Sequence, residues 1–333
     1  MSAIGDTILT MPVLCAVRRK FPTAFIAWVV EAGAAPVLQG HEYLDELMVL
    51  PRRWFKSPQR IWQLRRDLRS LRFDMTIDCQ SITKTALTCR LSGAPLRIGA
   101  AEKHGKELSP WMNNLRVPLL ATHLVDRTLE MLAPLGITSP EVEFRLPADA
   151  RAEATVAENR RQAGLTGRYT VINPGGSWDS KLWPAQRFAR VARHLGDGHN
   201  LPSQVVWAGD RELDWARTIV AGSGGHARLA PATNLVELAA LLRGASLFVG
   251  SDTGPLHLSV AVGTTSVGLY GTTRPADCGP YGPRNVALQQ RYHGGNSRER
   301  RRANNDAMRE ITVDQVCLTC DRLLHRDATE RAA

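Results

Sequence analysis

Hydrophobic positions in the first half of the chain switch between two spacings. Residues 7–20 carry apolar side chains at helical intervals and stop before Phe21-Pro22, whereas residues 25–30 are a continuous apolar run. A run of that kind is a strand buried on both faces. Residues 43–50 predict a second strand, 57–71 a basic amphipathic helix, 75–78 a short strand and 82–91 another helix. A charged, Ala-rich passage over residues 147–167 then interrupts the pattern, with a helix expected over 149–163. Beyond it the alternation restarts: strands over 169–173, 203–208, 247–249 and 265–270, the last of the series, and helices over 185–195, 212–221, 235–242 and 258–262. Strand–helix alternation on both sides predicts two parallel sheets covered by helices. We expect an N-terminal domain over 1–150, a linker helix over 151–164 and a C-terminal domain over 165–333. Tandem domains of this class face a cleft, and ligands lie outside the carboxyl ends of their strands.

The start departs from this logic. A doubly wound domain should open on a strand, yet Met1-Ser2-Ala3-Ile4-Gly5-Asp6 runs straight into a helix. The first strand of the N-terminal domain is expected to be missing.

Composition narrows the class. The chain has 333 residues, 44% hydrophobic and 22% charged, enough for a core in each of two domains. No apolar run reaches the roughly 18–20 residues of a membrane span, and Gly5, Asp6 and Pro12 break any secretory pattern. The expectation is a soluble cytoplasmic protein, at most peripheral to a membrane. Its six cysteines then read as reduced thiols, and Cys317-Leu-Thr-Cys320, within a helical pattern over 313–324, reads as helix packing rather than metal binding. Net charge is +10 and unevenly spread. Arg52, Arg53, Lys56, Arg60, Arg65, Arg66, Arg69 and Arg72 crowd one stretch, and a second cluster spans 298–302. These are either solvated faces or surfaces for acidic partners. No zinc-finger spacing or RNP-like aromatic motif points to nucleic acid.

Candidate chemistry gathers where strands meet helices. Gly250-Ser251-Asp252-Thr253-Gly254-Pro255-Leu256-His257 ends an apolar run and opens a small apolar helix. Backbone N–H groups and the positive end of a helix dipole make such a junction an anion site. Asp252 and His257 stand at its rim. Asn173-Pro174-Gly175-Gly176-Ser177 leads to Lys181, a flexible charge between Trp178 and Trp183 that suits phosphate. The acidic residues of Gly209-Asp210-Arg211-Glu212 either accept hydrogen bonds from a ribose diol or cap a helix. Gly271-Thr272-Thr273-Arg274-Pro275 either closes over the same site or turns the chain. Asp6 either caps the helix after it or takes a proton from an acceptor hydroxyl.

Four ordered blocks together resemble glycosyltransferase family 9, the ADP-heptose-dependent heptosyltransferases of lipopolysaccharide core synthesis. They are Ser2-Ala3-Ile4-Gly5-Asp6 with Pro12; Asn173-Pro174-Gly175 with Lys181-Leu182-Trp183-Pro184; Ser251 to His257; and Tyr270-Gly271-Thr272-Thr273 with Gly279-Pro280-Tyr281-Gly282. The resemblance implies the α/β GT-B fold, two Rossmann-like domains with the nucleotide-sugar in the C-terminal one, and an inverting, metal-independent transfer without cofactor. It implies Asp6 as the general base, Ser177 and Lys181 at the diphosphate, Glu212 at the ribose and Thr233 near the adenine. Asp252 would face the donor sugar, with Thr253 and Gly254 at the phosphates and His257 among the donor-binding residues. The donor would be ADP-heptose or a close relative, the acceptor an acidic glycolipid received by the N-terminal domain. Arg60 and Lys84 are acceptor candidates, and the basic stretch could rest on the anionic inner face of the inner membrane. The other readings are a sugar-nucleotide-binding protein with impaired catalysis and a GT-B enzyme using a different nucleotide, such as UDP-GlcNAc.

Two departures from the family pattern carry expectations. Residues 292–306, polar and Arg-rich, match no family motif and are expected to be disordered. The family's opening strand, apolar and ending in Arg or Lys, has no counterpart here, so about ten further residues are expected upstream, enough for one strand of ordinary length. Sequencing the codons before Met1 checks this: an apolar run in frame is expected, and a stop codon or a polar stretch overturns it.

Overall fold

Short apolar runs separated by turn residues form eleven strands in the computed structural model, which describes residues 3–101 and 104–332. The chain divides into two compact units, Met1–Pro147 and Ala148–Ala333.

In the first unit β1 (Ala27–Glu31) and β2 (Glu46–Leu50) pair in parallel, with Ala27 opposite Glu46. A second parallel sheet joins β3 (Met75–Ile77), β4 (Leu96–Ala100) and β5 (Leu115–Val117) in that order. The amphipathic helix Pro58–Ser70 starts where expected, since Ser57 accepts a hydrogen bond from the Arg60 amide and Pro58 suits a first helical turn. Its Leu64 and Leu68 are buried with Trp54 against Val29, Met48 and Leu50. The opening helix differs from expectation. It begins at Ile4 and is broken at Thr10 into Ile4–Leu9 and Met11–Lys20. Pro12 is the cause, because it has no N–H to continue the ladder. The strand expected upstream of Met1 lies outside the described residues. Within them the strands of this unit form two sheets.

The second unit carries one six-stranded parallel sheet in the order β11-β10-β9-β6-β7-β8. These are β6 (Thr170–Asn173), β7 (Ser203–Val205), β8 (Ala227–Leu229), β9 (Leu247–Ser251), β10 (Ser266–Leu269) and β11 (Val286–Leu288). The strand at 265–270 is therefore not the last. β11, partly buried and three residues long, is too short to show a period in sequence. Strand order reverses between β6 and β9, which is where crossover helices diverge to opposite faces and leave a crevice. Gly250 permits that junction, since a Cβ there would sit 3.0 Å from the Asn173 carbonyl of the neighbouring strand. Helix Ala150–Gln162, read as a linker, packs on helix Leu235–Arg243, with Glu153 paired to Arg243 at 3.2 Å.

Helix Ala185–His199 and the C-terminal helix Val313–Ala332 cover one face of this sheet, burying Phe188, Val191, Leu195, Val316, Cys317, Cys320 and Leu323 in one core. The CxxC thus packs a helix. Burial pushes the Cys317 thiol up to about 11 and that of Cys320 well above its ordinary value. Residues 292–306 are ordered, contrary to expectation: they hold helix Ser297–Arg302, closed by an Asn296/Glu299 capping box. Local capping and contacts to the segment 178–182 supply what the segment's polar composition lacks.

Phe188 is fully buried, edge-on to Trp183 at 4.8 Å between ring centroids. Phe188→Ala should cost about 3–5 kcal/mol in chemical denaturation; a loss under about 1 kcal/mol would mean this core is not the one described.

Candidate active site in the second unit

The segments after β6, β7, β8, β9 and β10 all emerge at the carboxyl edge of the second sheet, and every donor-site residue named from sequence lies on one of them. At the reversal point Asn173 ends β6 and donates through Nδ2 to Thr253 Oγ1 at 3.1 Å. Thr253 in turn donates to the Ser251 carbonyl, which ties the loops after β6 and β9 together. Helix Gly254–Ala261 begins immediately, four residues earlier than its apolar pattern predicts. Thr253 is its N-cap, and no side chain caps this end. The helix start is a local concentration of partial positive charge.

The centre of the site is a buried ion pair. Lys181 Nζ donates to Asp252 Oδ2 at 2.6 Å and to the Asp252 carbonyl at 3.2 Å, with both side chains at most one-tenth exposed. Thr273 Oγ1 donates to the same Oδ2 at 2.6 Å, and His257 Nε2 stands 3.4 Å from Oδ1. Burial pushes the Asp252 carboxyl up, but the His257 hydrogen bond and the Lys181 charge outweigh it. The group is held well below its ordinary 3.8. Buried His257 Nδ1 has no hydrogen-bond partner among the described residues.

Glu212 stands in the first turn of helix Gly209–Gly222 but is not a simple cap. Its carboxylate accepts from the Ala208 amide at 2.8 Å and lies against Gly175, where a Cβ would overlap it. Burial raises its pKa, against the lowering effect of hydrogen bonds from the Ala208 and Gly176 amides. Glu212 therefore joins the loops after β6 and β7. Ser177 is exposed on the first of these loops. Thr233 is half-buried after β8, just before the Asn234 cap of helix Leu235–Arg243.

Two groups were not singled out as site residues from sequence. Thr273 holds Asp252 from the loop after β10, although its block had been noted. The Arg-rich segment packs here as well: Ser180 Oγ donates to the Arg300 carbonyl at 2.7 Å and Arg300 Nη1 to the Thr272 carbonyl at 3.2 Å. Trp178 then has two cations at its ring, Lys181 Nζ at 4.6 Å and the Arg301 guanidinium at 5.1 Å from the centroid. Interleaved Trp and Arg was the available signal, but their separation by some 120 residues hid it.

Asp6, Arg60 and Lys84 belong to the first unit. The helix start at Ile4 places Asp6 inside the first turn rather than at the cap, and its Oδ2 accepts from Gln80 Nε2 at 2.7 Å. Lys84 is paired with Glu31 at 2.7 Å, both largely buried. Arg60 is exposed.

Removing one partner from the Lys181–Asp252 pair strands a buried charge. Asp252→Ala should therefore destabilise the protein by about 3–5 kcal/mol. The carboxyl pKa lies lower in the folded than in the unfolded chain, so its contribution is complete above 3.8 and disappears as pH falls below it. Denaturation measured from pH 6 to about pH 2 should show stability falling at the acid end for the unsubstituted protein, and a smaller fall for Asp252→Asn; equal slopes would contradict the pairing.

Comparison with known proteins agrees with this architecture. The family model described as glycosyltransferase family 9 (heptosyltransferase) matches residues 61–307. Lipopolysaccharide heptosyltransferase 1 of Pseudomonas aeruginosa is 28% identical over 299 residues, covering 86% of this chain and 81% of the relative. Lipopolysaccharide heptosyltransferase 3 of Escherichia coli K12 is 26% identical, covering 97% and 96%. Among solved structures, a family 9 glycosyltransferase from Veillonella parvula superposes with a TM-score of 0.81 at 22% identity, covering 97% of this chain and 94% of the other. Escherichia coli heptosyltransferase WaaC with ADP gives 0.76 at 24% identity, covering 97% and 100%. These likenesses carry the α/β, GT-B class of fold. With the family model matching most of its length, the chain belongs to glycosyltransferase family 9, the heptosyltransferase family.

Proposed function

We propose that this glycosyltransferase moves a heptose, or a closely related sugar, from an ADP-sugar to an acidic glycan acceptor of the lipopolysaccharide-core type. The observation that carries this reading is the buried Lys181–Asp252 pair beside the start of helix Gly254–Ala261, in a chain of this family. One relative's structure was solved with ADP-2-deoxy-2-fluoro heptose, which supports the choice of donor. The diphosphate lies against Ser177, the remaining N–H of Lys181 and the helix start formed by Thr253 and Gly254. His257 and Asp252 face the donor sugar, Glu212 accepts from the ribose hydroxyls, and Thr233 borders the adenine. Asp6 takes the proton of the acceptor hydroxyl as its oxygen bonds to the anomeric carbon from the face opposite the departing ADP, inverting that centre. Lys181 and the helix dipole stabilise the negative charge that develops on the diphosphate, so the transfer runs without metal or cofactor.

The acceptor side is more open. Arg60 is exposed and can meet an acidic sugar, whereas Lys84 must exchange or share its partner Glu31 to do so. No helix among the described residues is long and apolar enough to cross a membrane. The basic helix Pro58–Ser70 carries Trp62 62% exposed, with Arg66 over its ring. An aromatic among arginines suits peripheral contact with an anionic bilayer, consistent with a cytoplasmic enzyme working at the inner membrane and with no role for nucleic acid.

A second reading is a sugar-nucleotide-binding protein with impaired catalysis. Asp6→Asn separates the readings. Transfer from ADP-heptose to lipid A–core acceptors should fall by about 100–10,000-fold while the ADP-induced thermal shift is retained. An unsubstituted protein that binds ADP yet never transfers would establish the binding reading. A larger thermal shift with a uridine nucleotide than with ADP would overturn the donor assignment.

A further inference from the structure

Away from the donor site, two imidazoles converge on one carboxylate. His194 Nε2 lies 2.8 Å and His199 Nε2 2.6 Å from the same oxygen, Asp321 Oδ1. The two histidines end helix Ala185–His199, and Asp321 comes from the C-terminal helix packed on it. A third imidazole, His325, stands one turn beyond Asp321, its ring centroid 6.0 Å from that of His199. His194, His199 and Asp321 are between 22% and 37% exposed, so water and ions reach them. Burial raises the Asp321 carboxyl, but hydrogen bonds from His194 and His199 more than offset it, leaving the group lowered and anionic.

We infer that His194 Nε2, His199 Nε2 and the Asp321 carboxylate form a binding site for a divalent transition-metal ion of the zinc class. Two imidazole nitrogens and one carboxylate oxygen are a ligand set such ions favour. One atom from each residue already lies within 4.8 Å of the other two. Bonds of about 2.0–2.2 Å put neighbouring tetrahedral ligands roughly 3.3–3.6 Å apart, so the nitrogens draw back slightly from the oxygen while their own separation, within 4.8 Å, settles to the same spacing. As it stands, each Nε2 needs a proton to donate to Oδ1; a dication replaces both and leaves the other ring nitrogens to solvent. Water would complete the shell, since His325 lies outside the group of converging ligand atoms.

The position assigns the ion a structural role. His194 and His199 lie nine and fourteen residues past Ala185, about 14 and 21 Å along the helix axis from the end that follows Lys181. The ion therefore sits apart from the Lys181–Asp252 centre and clamps the C-terminal helix, with its buried Val316, Cys320 and Leu323, onto the sheet's covering helix. The inference does not rest on the transfer reaction proposed above.

Full-length protein stripped with a chelator and titrated with cobalt(II) tests the site. A tetrahedral visible absorption band saturating at one ion per chain is expected, displaced by zinc(II), with zinc raising the melting temperature. His199→Gln and Asp321→Asn should each weaken zinc at least about 100-fold, since losing even an outer-shell partner costs roughly 10–100-fold. Both variants should keep the ADP-induced thermal shift, which separates loss of the metal site from misfolding. Absence of a cobalt band and of any zinc-induced rise in melting temperature up to millimolar metal, or unchanged zinc affinity in both variants, would overturn the inference.

Discussion

The contact between Lys181 and Asp252 is the constraint around which the second unit is organised. A lysine and an aspartate are tolerated in so dry a place only if each satisfies the other and their remaining hydrogen-bonding capacity is used. The surroundings meet that demand from several segments at once: Thr273 after β10, His257 on the helix after β9, and the Asp252 carbonyl itself. Asn173 and Thr253 then lock the two loops that bring the charges together. The pair stands at the reversal of strand order, where no crossover helix covers the sheet edge and a ligand can approach.

Around that pair, polar residues act mainly by joining loops. Glu212 reaches the glycine turn after β6, Ser180 reaches the Arg300 backbone, and Trp178 takes cations from two segments. Each link lets a surface loop, ordinarily the most mobile part of an α/β unit, hold a fixed geometry without being buried. In the first unit Asp6 and Lys84 are likewise held, by Gln80 and Glu31. The charges named from sequence are thus mostly engaged in the protein, and a ligand would compete for or complete these contacts.

The C-terminal helix shows how one stretch answers two demands. Its inward face supplies Val316, Cys320 and Leu323 to the core, while Asp321, between them in sequence, turns toward two histidines at the end of the neighbouring helix. Helical periodicity makes both faces available at once.

The local elements were largely legible in the chain itself. Buried parallel strands are continuous apolar runs, and caps such as Ser57 and Asp149 mark helix starts, so β1, β6, β9 and the helices after them follow from residue order. The motif blocks likewise placed Lys181 and Asp252, and the segment Gly209–Glu212 placed Glu212, on strand-end loops. β4, β5 and β8 were missed because an arginine (Arg97, Arg116, Arg228) interrupts each apolar run, and β11 because three residues outside any longer apolar run give no signal. The break at Thr10 was missed because the apolar spacing continues across it, although Pro12 could have marked it. The order of residues 292–306, the hold of Thr273 on Asp252, the Trp178 cations and the His194–His199–Asp321 convergence depend on partners between about 20 and 130 residues apart. Sequence determines which side chains carry charge and which faces are apolar; only the packing of distant segments decides which charges meet, because burial and short distance are properties of the assembled fold.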